Sequence, residues 1–176
     1  MDIFNFFRNT RQKKNTIQTS TEVPSAEEIL SSIPHSKDYL GKAAERGHAA
    51  KAAIRDRKFD TAWKMLHEQK MLYAKHAKSQ HWTAKDVLCL DGSVSEDLAN
   101  ILRLETKHHQ AFAHILYWII TSKVSIKRHQ QKLSTYLKRC KFKNITLETV
   151  EKFIEPLKEN PDFSLIQTKV EEWKNT

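Results

Sequence analysis

From Ser25 onward, apolar side chains recur at helical spacing, and no stretch alternates strictly between apolar and polar residues. A period of about 3.6 residues keeps one face of an α-helix apolar, whereas a half-buried strand needs strict alternation. The pattern therefore predicts an all-α bundle of about six to seven helices. We expect residues 25–176 to form a single helical domain, preceded by a flexible arm and linker over residues 1–24.

Capping residues, prolines and apolar faces predict where the helices begin and end. Ser25 and Glu28 form a capping box, and Pro34 ends the short helix that they begin. The rest of the chain is expected to form an antiparallel hairpin over 36–78, a central helix over 95–122, a basic helix over 124–140 and acidic helices over 146–174. The last of these helices is predicted to start at Asn160-Pro161.

The central helix, 95–122, is predicted to form the core because it is the most apolar helix of the chain. A turn at Asp91-Gly92 and a capping box of Ser93 and Glu96 are expected to precede it. The apolar face comprises Leu98, Ile101, Leu102, Phe112, Ile115, Leu116, Ile119 and Ile120.

The hairpin over 36–78 joins an alanine-rich helix to a helix with one apolar face. Its apolar and small positions include Ala50, Ala53, Ile54, Phe59, Ala62 and Leu66. With these residues, the segment 45–78 resembles a single tetratricopeptide-type helical hairpin. Arg57 departs from that family, which prefers a small residue at the turn. The resemblance implies a surface that binds another protein.

Glycine and cysteine usage excludes several classes of enzyme. The three glycines, Gly41, Gly47 and Gly92, are too few and too scattered for a dinucleotide fingerprint or a P-loop. Cys89 and Cys140 are 51 residues apart, which favours free thiols in a reducing compartment over a zinc site or a disulfide. No segment reaches the roughly 20 apolar residues of a membrane span, and the N-terminus lacks the order of a secretory signal. We therefore expect a cytoplasmic location.

The N-terminal segment 1–14 places three phenylalanines before a basic cluster. This order suits a weak contact with an anionic membrane surface, with the rings in the interface and the cations on headgroups. The alternative is an apolar arm that packs on the protein's own core and leads into a solvated linker.

A carboxylate, Glu105, falls near the middle of the apolar face of the predicted central helix, between His108 and His109. A buried carboxylate needs a partner, which predicts a polar pair of Glu105 with His109 or His108. Glu105 and His108 also have the i, i+3 spacing of ligands in di-iron bundles, and Glu45 and His48 repeat it. These four side chains form a candidate metal site, which is the alternative to a simple polar pair.

The net charge of +9 is concentrated in one part of the chain. Residues 101–143 sum to +9, whereas residues 144–176 sum to −3. Eight cations follow one another without an intervening acid: Lys123, Lys127, Arg128, Lys132, Lys138, Arg139, Lys141 and Lys143. On a helix, the opposite side is apolar and comprises Ile126, Leu133, Tyr136, Leu137 and Cys140.

This basic face suits a phosphate backbone, an acidic protein surface or anionic lipid. It could also be neutralised by the protein's own C-terminal glutamates, which are Glu148, Glu151, Glu155 and Glu159. We expect an interaction protein without catalytic activity or a cofactor, whose basic helix and hairpin contact a macromolecular partner. Another protein is the expected partner. A nucleic-acid-binding accessory protein and a metal-binding bundle are the alternatives.

Overall fold

The computed structural model describes residues 38–122 and 125–176, and every regular element in these two ranges is helical. The predicted all-α bundle is confirmed. The arm and linker 1–24, the short helix expected at Ser25 and the cation Lys123 lie outside the described residues. The elements are α1 (Tyr39–Arg55), α2 (Phe59–Ser79), α3 (Ala84–Leu104), α4 (His108–Thr121), α5 (Ile126–Cys140), α6 (Leu147–Ile154), a 3-10 helix (Pro156–Lys158) and α7 (Phe163–Lys174).

Helix α4 forms the centre of the core and packs against α3, α5 and α7. Burial of its aliphatic and aromatic side chains is the main favourable contribution to folding. The apolar face predicted for this region is confirmed, because all of its members are buried: Leu98, Ile101, Leu102, Phe112, Ile115, Leu116, Ile119 and Ile120.

Helices α1 and α2 form a hairpin that contacts the core through α3. Small buried residues on α1, among them Gly47, allow α2 to approach closely. A β-carbon on Gly47 would lie 2.9 Å from the side-chain amide of Gln69 in α2. A second apolar cluster joins the hairpin to α3 and comprises Ala50, Ala53, Ala62, Leu66, Val94, Leu98 and Ile101. The tetratricopeptide resemblance of this hairpin stays a prediction.

The prediction of one central helix over 95–122 is wrong. The chain leaves the helical path after Leu104, turns through residues 105–107 and re-enters a helix at His108. Thr106 takes a left-handed conformation, with φ of 62°, which reverses the chain so that α4 can pack on α3. No glycine or proline marks this break, so the continuous apolar pattern concealed it.

The turn predicted at Asp91-Gly92 is also wrong, since both residues lie inside α3. Helix α3 begins earlier, at Ala84, after the N-cap Thr83, so the expected capping box of Ser93 and Glu96 does not exist. Gly92 instead provides space for α4. A β-carbon at this position would lie 1.8 Å from Oγ1 of Thr121 and 2.6 Å from its Cβ.

Left-handed residues end four of these helices, and none of them is a glycine. They are Arg57, His81, Thr106 and Lys141, with φ between 51° and 62°. Glycine is the usual residue at such positions because it has no β-carbon to clash. The described glycines all lie within helices and have negative φ.

The last helix, α7, begins two residues later than the Asn160-Pro161 signal predicts. Asp162 is its N-cap, and the carboxylate Oδ1 accepts hydrogen bonds from the backbone N–H groups of Ser164 (2.8 Å) and Leu165 (3.2 Å). An aspartate that accepts two of the free N–H groups of the first turn is a strong start signal.

Candidate functional site

Helix α5 is held on the core by the apolar face that the sequence predicts, with one exception. Leu133, Tyr136 and Cys140 are buried. The Cys140 thiol donates to the carbonyl oxygen of His108 at 3.4 Å, and burial raises the pKa of Cys140 to about 12. This cysteine therefore stays protonated and serves in packing. Ile126, in the first turn, is 75% exposed, so the apolar contact of α5 begins further along the helix.

The opposite face of α5 carries the predicted cations. Lys132 is partly buried, and the other described members are exposed on α5 or just after it: Lys127, Arg128, Lys138, Arg139, Lys141 and Lys143. We refer to these residues, together with Lys132, as the basic face. Its position follows from amphipathicity, because the buried side of α5 fixes which side chains point to solvent.

A groove of about 620 Å³ lies between the basic face and α3. Its cations are Arg128, Lys132 and Arg139 from α5 and Arg103 from α3. The guanidinium of Arg103 donates to Oδ1 of Asn100 through Nη2 (2.6 Å) and Nε (3.2 Å), which fixes its direction. We call this site the basic groove. Arg103 was not among the predicted residues, because it lies in an otherwise apolar segment and only tertiary packing brings it beside α5.

One carboxylate, Glu96 of α3, neutralises part of the basic groove. It accepts hydrogen bonds from Nη2 of Arg128 (2.8 Å) and Nζ of Lys132 (3.0 Å). Burial alone would raise the pKa of Glu96, but the hydrogen bonds from Lys132 and Arg128 outweigh it and hold this pKa below its ordinary value. Arg128 also lies over the ring of Trp118, 5.4 Å from its centroid. These contacts order the Arg128 end of the groove.

The C-terminal glutamates do not neutralise the basic face. Their ion pairs are local: Glu148 with Lys152, Glu155 with Lys158, Glu171 with Lys174 and Glu172 with Lys169. Among the residues that the structure describes, no ion pair joins α6 or α7 to α5. Arg103 and Arg139 of the basic groove form no ion pair with any described carboxylate.

The predicted metal site is not formed. Across residues 38–122 and 125–176, no three His, Cys, Asp or Glu side chains come close enough to hold a metal ion, and these ranges include Glu45, His48, Glu105 and His108. The physical reason is the break at Thr106. Glu105 ends α3 and His108 begins α4, so the two are not neighbours on one helix face.

The predicted polar pair of Glu105 and His109 is absent as well. Glu105 bonds instead to Nζ of Lys107 at 3.2 Å. The Nε2 of His109 lies 3.1 Å from the carbonyl oxygen of Cys140, where it links the start of α4 to the end of α5. Glu105 therefore serves the turn between α3 and α4, whereas His109 serves the contact between α4 and α5.

Comparisons with known proteins add no further constraint on this site. No protein-family model matches the chain, and neither a curated protein nor a solved structure shows significant similarity to it. Within the described ranges, no helix combines the length and the apolar character needed to cross a bilayer.

Proposed function

We propose that this protein is a helical interaction protein that binds nucleic acid through the basic groove and the basic face beside it. The observation that carries the proposal is the convergence of four cations from two helices, of which only Arg128 and Lys132 pair with a carboxylate, Glu96, among the described residues. A partner with closely repeated phosphates can engage several of these cations together.

The energetic basis is the release of counterions. Each phosphate that a Lys or Arg neutralises frees condensed cations, so affinity rises with the number of contacts and falls steeply with salt. Arg103 and Arg139 can form bidentate hydrogen bonds with phosphate oxygens without breaking an ion pair of the described structure. Arg128 and Lys132 would exchange Glu96 for a phosphate.

The expected mode of binding is independent of base sequence. Base stacking needs exposed aromatic rings, but Trp118 and Tyr136, the aromatic residues beside the groove, are 2% and 4% exposed. Contacts to phosphate position a protein on its ligand without reading its sequence. We therefore expect similar affinities for unrelated sequences of equal length.

The test measures binding of a fluorescently labelled 20-nucleotide RNA and of a DNA duplex by anisotropy, from 50 to 300 mM salt. The double variant Arg103→Gln, Arg139→Gln should bind at least tenfold more weakly at low salt. The magnitude of its salt slope should fall by about 2, because two phosphate contacts are lost.

The matched control is the double variant Lys75→Gln, Lys78→Gln. It removes the same charge from exposed positions near the end of α2, and we expect less than a threefold loss of affinity. Equal losses in the two variants would contradict a localised site. A wild-type protein that binds neither RNA nor DNA at 50 mM salt would overturn the proposal and favour an acidic protein surface as the partner.

A further inference from the structure

A second cavity, of about 430 Å³, lies where α2, the end of α3, α4 and the start of α7 meet. Its walls include three aromatic side chains, Phe59, Trp63 and Phe163, and the imidazole of His114. We call it the His114 cavity. Its volume falls in the range of small-molecule sites, which are mostly apolar with a few polar groups that fix orientation.

The aromatic rings are arranged around His114. The imidazole lies 4.6 Å from the ring of Phe163 and 6.0 Å, at 90°, from the ring of Trp63 (centroid distances). A second imidazole, His67, lies 5.2 Å from Trp63 on the same wall. Aromatic rings on several sides of the cavity favour a planar ligand, which can make stacked and edge-to-face contacts with them.

His114 has a hydrogen-bonding capacity that the protein does not satisfy. Its Nδ1 is buried and has no partner among the described residues. Burial, assisted by the nearby charges of Lys70 and His67, lowers the pKa of His114 to about 3, so the ring is neutral. An orphaned buried acceptor is better tolerated than an orphaned N–H, which places the proton on Nε2. The Nε2–H group, which forms no hydrogen bond with a described residue and is not among the buried unpartnered atoms, is then the group of His114 that can donate to a ligand in the cavity.

The surroundings of the cavity favour an uncharged ligand with an N–H group, because the burial that keeps His114 neutral would also penalise a charge on the ligand. Glu105 is already paired with Lys107. Asp60, in the first turn of α2, is exposed and has no ion-pair partner among the described residues, so it is an acceptor at the mouth. A negative charge here disfavours anions and suits an amino group.

We propose that the His114 cavity binds an uncharged, planar heteroaromatic amine, with a ring acceptor directed at His114 and an amino group directed at Asp60. This inference does not rest on the nucleic-acid proposal, because the two sites have different linings. Adenine is the simplest probe, since it carries both groups on a planar two-ring frame. Indole is the matched comparison, because it has a similar shape but neither a ring acceptor nor an amino group.

The experiment measures the binding of adenine and of indole to the full chain by isothermal titration calorimetry. Wild type should bind adenine at least tenfold more tightly than indole. His114→Phe keeps an aromatic ring but removes both nitrogens, so adenine affinity should fall at least tenfold while indole affinity stays within threefold. His48→Phe, an exposed position on α1, is the control and should change neither affinity.

The melting temperature shows whether His114→Phe loses adenine binding through a lost contact or through a damaged fold. The substitution removes an unsatisfied buried nitrogen, so the melting temperature of the variant should equal or exceed that of wild type. If this variant fails to fold, Asp60→Ala provides the test. It should weaken the binding of adenine at least threefold without changing the affinity for indole. Equal binding of adenine and indole by wild type, or adenine affinity unchanged in every folded variant, would overturn the proposal.

Discussion

The basic groove and the His114 cavity share α3 as a wall but are built from opposite chemistry. Arg103 of α3 contributes to the groove, whereas Ile101 and Leu102 of the same helix line the cavity. The groove is cationic and exposed, and the cavity is aromatic and its imidazole is neutral. A cationic surface is visible in sequence as a run of Lys and Arg. A cavity is not, because its side chains have the same spacing as core residues.

The largest expected effect comes from Gly92→Ala, which would disturb both sites through their shared wall. The added β-carbon meets Thr121, whose Cβ cannot move without shifting α4. We expect the free energy of unfolding to fall by about 3 kcal/mol, the upper end for overpacking, and binding at both sites to weaken. Urea titration followed by circular dichroism measures the first effect.

Gly47→Ala is the matched control for this change. It is also a buried helical glycine, but its new β-carbon would meet the flexible amide of Gln69. Alanine is favoured over glycine in a helix by about 1 kcal/mol. We expect a gain of between zero and that amount, and a loss equal to that of Gly92→Ala would refute the special role of the α3–α4 contact.

The next effect is a pH dependence of stability that comes from His114 in the cavity. The pKa of His114 is about 3 in the folded protein, against 6.5 ordinarily. Between these values the unfolded chain binds one more proton, so stability is lost as pH falls below 6.5. At pH 5 the loss attributable to His114 is about 2 kcal/mol. Burial also lowers the pKa values of His67 and His129, which adds to the slope.

The share of His114 is isolated by comparing wild type with His114→Phe in urea titrations at pH 7 and pH 5. The variant should lose less stability on acidification, by about 2 kcal/mol. Parallel pH profiles for the two proteins would show that His114 titrates normally in the folded state, and that its environment is wetter than the structure indicates.

A smaller effect, confined to the groove, is expected from Glu96→Gln. The substitution removes the counter-charge of Arg128 and Lys132. Stability should fall by about 1 kcal/mol, because charge-assisted hydrogen bonds are weakened. RNA affinity at 50 mM salt should rise about threefold while adenine affinity is unchanged. A drop in RNA affinity would show that Glu96 orders the groove rather than competes with its ligand.

The smallest effect, from Thr106→Gly, should leave both sites intact. A left-handed conformation is unfavourable for a residue with a β-carbon by about 1–2 kcal/mol. Glycine removes this strain, but it loses more conformational entropy on folding, which cancels part of the gain. We expect the free energy of unfolding, measured by thermal denaturation, to rise by about 0.5 kcal/mol, with unchanged binding of RNA and adenine. A loss of stability would mean that the Thr106 side chain makes a contact that outweighs the strain.

The sequence predicts the all-α class and the core well, because helical periodicity and burial have the same physical origin. Ile115 and Leu116 are buried as their spacing predicts. Helix ends are predicted less well, because glycine usually marks the end of a helix, whereas the described glycines of this chain lie inside helices. Gly92 lies within a helix, and Thr106 occupies a turn.

The candidate site was predicted in part, for a related reason. The cations of α5 lie on one face of one helix, so local periodicity identifies them. Arg103 and Glu96 belong to the groove only because α3 packs beside α5, and no local pattern contains that information. The four-residue metal site is wrong because the pairing of Glu105 with His108 assumed one continuous helix through Thr106.

The left-handed turns also bear on the net charge of the protein. The carbonyl end of an α-helix carries a partial negative charge, and a cation beside it is favourable. Arg57 follows the end of α1, and Lys141 is the C-cap of α5. Each can offset by electrostatic attraction part of the strain that a glycine would have avoided. The positive charge at these two positions therefore serves the protein's own backbone, whether or not a polyanion is bound.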